Sequence, residues 1–81
     1  MTWAHTRRSE KDYQGAPAAI QKAFDKQVRL LAKNLNHPSL HAKKYDAATD
    51  LWQARVNRDW HFYFLIQGHT CLIVAIVPHP K

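Results

Sequence analysis

The chain has 81 residues, 46% of them hydrophobic and 22% charged, with a formal net charge of +6. That length holds one small domain over residues 1–81 and excludes a second core, while the basic excess attracts polyanions: nucleic acid, an acidic protein or an anionic membrane. The longest apolar run, Cys71–Val77, is too short to span a bilayer and residues 1–13 hold no apolar signal core, so a cytoplasmic protein without a membrane partner is expected. The single cysteine, Cys71, cannot form an internal disulfide, which fits a reducing compartment.

In chain order, Trp3 and His5 alternate with Thr2, Ala4 and Thr6, the pattern of a short first strand. Ser9 is a cap candidate for a short helix over Glu10–Gln14, and Gly15 ends it. Pro17 suits the start of a second helix, because its missing N–H has no partner there anyway. Ile20, Phe24, Val28, Leu31 and Leu35 then recur at three- and four-residue steps, one apolar stripe of an amphipathic helix. Asn34, Asn36 and Pro38 close it. His37–Asp50 is polar and reads as a connector.

The stretch Thr49–Gln67 has period two. Trp52, Ala54 and Val56 alternate with Gln53, Arg55 and Asn57; after a turn at Asn57-Arg58-Asp59, Trp60, Phe62, Phe64 and Ile66 alternate with His61, Tyr63 and Leu65. One face of this hairpin is large and apolar, and the other displays Gln53, Arg55, Asn57, His61 and Tyr63. Trp52 and Trp60 share the parity of Phe62 and Phe64, so they read as core. Gly68 and His69 make a second turn into the apolar strand Thr70–Val77. The fold class is α+β, in the order β-α-α-β-β-β, with two N-terminal helices packed on one face of a small antiparallel sheet.

The segment LWQARVNRDWHFYFLI, followed by a turn and an apolar strand with a basic tail, resembles the RelE/ParE superfamily, as does the element order before it. Members are small basic toxins of bacterial toxin–antitoxin pairs. The resemblance implies a cognate antitoxin as partner. It also implies one of two activities: cleavage of messenger RNA on the ribosome, or inhibition of DNA gyrase without a nuclease centre. Arg55 matches a first-strand Arg of the family, and Asp59-Trp60 matches the Asp-Tyr of its turn. His61 stands where many members have Arg, and Arg58 is an extra turn residue able to replace it. His79 matches a tail histidine of some nuclease members; the tyrosine that often follows is absent, since the chain reads Pro80-Lys81.

Cleavage of RNA by its 2′-hydroxyl needs a base, an acid for the leaving oxygen and cations for the phosphorane charge. His61 and His79 are the candidate base and acid, because histidine titrates near neutrality. Arg55 and Arg58 are candidate phosphate clamps, since guanidinium grips phosphate at two points. Lys43, Lys44, Tyr63 and Lys81 are candidate RNA contacts, the lysines by charge and the tyrosine by stacking. Most also have a plainer reading: His61 as a sheet-surface residue, His79 as a tail residue without function, Arg55 and Arg58 as antitoxin contacts or solvation of the sheet, Lys43 and Lys44 as a solvated loop. No cofactor is expected. No metal site is expected either, because Pro38 spoils a helical His37–His41 pair and no cysteine stands at ligand spacing. Three functions stay open: a metal-independent endoribonuclease toxin, a gyrase inhibitor, and an inactive module that only binds an antitoxin.

Overall fold

The structure is a computed structural model that describes residues 2–78. Strand β1 spans Thr2–His5, helix α1 Arg7–Gly15, helix α2 Ala18–Lys33, and strands β2 to β5 span Lys43–Asp46, Leu51–Arg55, Trp60–Gln67 and Thr70–Pro78. The sheet order is β1-β5-β4-β3-β2, antiparallel except that β1 runs parallel to β5. This is an α+β fold. Strand β5, read from sequence as covered or central, lies inside the sheet between β1 and β4.

The apolar stripe of α2 lies on one sheet face. Ile20, Phe24, Val28 and Leu31 are buried there with Ala54, Val56, Phe62, Phe64, Ile73 and Ile76, while Leu35 packs at the margin. Phe24 meets Phe62 edge-on, centroids 5.2 Å apart at 83°, an arrangement that adds about 0.5–1.5 kcal/mol to simple burial. Strand β5 carries a register shift: Phe64 pairs with Ile73 but Tyr63 with Ala75. Val74 is the extra residue, and the shift lets both Ile73 and Ile76 face the helix. It is also why the run Cys71–Val77 lacks clean alternation.

Helix α1 begins a turn earlier than the Ser9 cap implies. Thr6 is the cap, its Oγ1 accepting from the Ser9 N–H at 3.1 Å. The same hydroxyl donates to the Val74 carbonyl at 3.0 Å, so capping and docking onto β5 use one side chain. Ser9 is instead buried, donating to the Thr6 carbonyl and bonded to His5 Nδ1 at 2.9 Å. Where β1 ends, α1 takes over the edge of β5: the Asp12 carboxylate accepts from the Ile76 N–H at 3.0 Å. An exposed strand edge is thereby closed.

The expected connector at 37–50 is partly structured. Pro38–Leu40 forms a 3-10 turn with Leu40 fully buried, and β2 adds a fifth strand at the sheet edge. Every β2 residue is exposed, so burial imposes no alternation on its sequence. Among the described residues, no helix is long and apolar enough to cross a membrane.

Candidate functional site

The face of the sheet turned away from α2 carries the polar set of the hairpin. Arg55 pairs directly with His61, Gln53 with Tyr63, and Lys43 with Gln53. Facing residues of this kind have Cβ atoms about 4.5–5.5 Å apart, so Arg55 and His61 can share one phosphate. Together with His41, Lys43 and Gln53 they line a cleft of about 460 Å³. Among the described residues, none of those lining it is acidic. The site therefore favours an anion and provides two imidazoles beside it.

The hairpin register is set by its turn. Asn57 Oδ1 accepts from the N–H groups of Asp59 and Trp60 at 2.9 and 3.0 Å, the local side-chain bond that makes Asn a turn former. On the other side of the cleft, His37 caps the 3-10 turn, its Nδ1 accepting from the Ser39 N–H. His41 follows in the left-handed region, φ 47°, reversing the chain into β2. Gln27 of α2 ties both parts together. It is 6% exposed, and its Nε2 donates to the carbonyls of Ser39 at 3.0 Å and Arg55 at 2.9 Å. Ser39 Oγ returns a bond to Gln27 Oε1 at 3.2 Å.

Of the residues singled out in the sequence, Arg55, His61 and Lys43 come together in the cleft. Arg58 sits exposed at the hairpin turn, outside the cleft lining. Lys44 points away, because neighbours on a strand face opposite sides. Its ammonium lies 3.1 Å from Asp50 and 6.0 Å from the Trp52 ring centroid. Tyr63 stands beside the cleft, its ring 5.0 Å from Tyr45; burial and the neighbouring Tyr45 hydroxyl raise its phenol above the ordinary value. His79 and Lys81 lie outside the described residues. Sequence reasoning missed His41 and Gln27 as parts of the site. The one local hint for His41 was its place just after the Pro38-Ser39-Leu40 turn. Among the described residues, no group of three or more His, Cys, Asp or Glu could hold a metal ion.

At the level of sequence, the chain matches no family model and no curated protein. Its shape does match solved structures. A YoeB/ParE toxin from Agrobacterium tumefaciens is 15% identical, with TM-score 0.82 over 99% of this chain and 100% of that one. YoeB from Staphylococcus aureus is 13% identical, with TM-score 0.81 over 99% and 98%. The RelB–RelE antitoxin–toxin complex from Methanococcus jannaschii contains a chain 17% identical, with TM-score 0.75 over 91% and 87%. From β1 to β5, then, the chain carries the fold of the RelE/ParE toxin superfamily.

Proposed function

We propose that this chain is the toxin of a type II toxin–antitoxin pair and acts as a metal-independent endoribonuclease on ribosome-bound messenger RNA. The observation that carries this reading is the cleft itself: Arg55 and Lys43 supply cations and His61 and His41 supply imidazoles, with Arg55, Lys43 and His61 on the sheet and His41 at the end of the turn that leads into β2. Arg55 and Lys43 hold the scissile phosphate and offset the charge of the phosphorane. One imidazole takes the proton of the 2′-hydroxyl as O2′ bonds to phosphorus; the other gives a proton to the 5′ oxygen as its bond to phosphorus breaks. The products are a 2′,3′-cyclic phosphate and a 5′-hydroxyl, and no metal or cofactor enters the balance. Arg58, exposed at the hairpin turn, is a further candidate cation, and His79 and Lys81, which lie outside the described residues, remain candidates for an acid and a cation from the sequence alone.

An antitoxin partner is supported by the neighbours of this fold, which include toxin–antitoxin complexes of RelE with RelB and of YoeB with YefM. The test is induced expression in bacteria followed by primer extension on a reporter transcript. Cuts inside translated codons, absent from the His61→Ala variant, support the reading. A DNA-damage response without cuts overturns it in favour of gyrase inhibition, and normal growth overturns it in favour of a module that only binds an antitoxin.

A further inference from the structure

Beside the basic cleft, the same sheet face holds a second hollow of about 290 Å³, whose walls include Arg8, Tyr45, Leu51, Tyr63 and Val77. The two adjoin through cross-strand pairs. Gln53 lines the first and its partner Tyr63 the second; His61 lines the first and its partner Val77 the second. One inter-strand step, about 4.8 Å, separates them.

Their characters differ. The second hollow has an aliphatic floor and an aromatic wall. Tyr45 sits at the β2 bulge between Lys44 and Asp46, and its contact with Tyr63 places it on this face. Its ring leans on the edge of Tyr63 at 69° and is 59% exposed. At the rim, Arg8 reaches Asp12 only at 3.6 Å and keeps a 67% exposed side chain. Cations thus border both hollows, and an exposed ring stands between them. A polyanion whose charged backbone alternates with flat, stackable groups fits this layout.

We infer that the second hollow seats a nucleobase of single-stranded RNA, stacked on Tyr45, next to the phosphate held by Arg55 and Lys43. This rests on the RNA reading of the basic cleft. Stacking accepts any base, because every base presents a π face, so the subsite recognises unpaired nucleotides rather than a sequence.

The test is fluorescence anisotropy of the full chain with two labelled probes: a 2′-O-methyl RNA hexamer, which cannot be cleaved, and its abasic counterpart. Tyr45→Ala is expected to weaken the base-containing hexamer about five- to a hundredfold and to leave the abasic one unchanged. Tyr45→Phe keeps the affinity, and Arg55→Ala weakens both probes. Circular dichroism confirms that the exposed substitution leaves the fold intact. If Tyr45→Ala weakens both probes equally, or neither, the base subsite is overturned while the RNA reading stands. If the native chain binds neither probe, both are overturned.

Discussion

Gln27 donates from the helix to the carbonyl of Arg55 at 2.9 Å, and the same nitrogen reaches the carbonyl of Ser39 at 3.0 Å. One buried amide therefore fixes the distance between the strand that carries Arg55 and the turn that delivers His41. Gln27→Leu keeps the volume but leaves both carbonyls without their donor. Loss of such a buried partner costs about 1–3 kcal/mol. Urea denaturation should show that loss, and RNA cleavage should fall further than the folded fraction does. Cleavage that merely tracks the folded fraction would show that the amide stabilises without positioning.

The cleft residues should separate by role. His61→Ala and His41→Ala are each expected to slow the chemical step about 10²–10⁴-fold with folding intact, as for loss of a general acid or base. Lys43→Ala should instead weaken RNA binding and flatten its salt dependence, since it removes one phosphate contact. Lys44→Ala should do neither: it faces the other side of the sheet, and an exposed ion pair such as Lys44–Asp50 contributes about 0–1 kcal/mol. Single-turnover rates and affinities over a salt series distinguish the four.

The core prediction concerns Phe62, which is fully buried between Phe24 and Phe64. Truncation to alanine should cost about 3–5 kcal/mol, the range for a buried aromatic that leaves a cavity. A midpoint of urea denaturation close to that of the native chain would contradict this packing.

Acid should loosen the N-terminal corner. Burial lowers the His5 pKa below its usual 6.5, against a smaller opposing pull from Glu10 and Asp25. The unfolded chain then binds more protons than the folded one between the two pKa values, so stability rises with pH in that window. His5 thus contributes no penalty above about pH 6.5 and destabilises increasingly as pH falls below it. Thermal melts across pH 5–8 should show this slope, and His5→Gln should flatten it.

The central hairpin and α2 were legible because both have one buried side, and burial writes a period into sequence. The facing of Arg55 and His61 followed from that parity. Strand β2 and His41 were not legible for the converse reason. An edge strand exposed at every residue has no apolar rhythm, and a residue in the left-handed region carries no mark unless it is glycine. The cap shows a different limit. Thr6 and Ser9 are both good caps, and the choice falls to Thr6 because only its hydroxyl can also satisfy the Val74 carbonyl, a partner 68 residues away. Gln27 was hidden likewise, since its bonds reach carbonyls 12 and 28 residues on.

The parallel seam between β1 and β5 pairs Thr2 with Thr70 and His5 with Ile73. The first strand to leave a ribosome thus waits for the last before it has any neighbour in the sheet. The α2 helix and the β3–β4 hairpin form from local contacts, but α1 and β1 have no docking edge until Thr70–Pro78 emerges, and such distant pairing closes late. The order of synthesis thus becomes a delay: the sheet stays open along this seam until Thr70–Pro78 has been made.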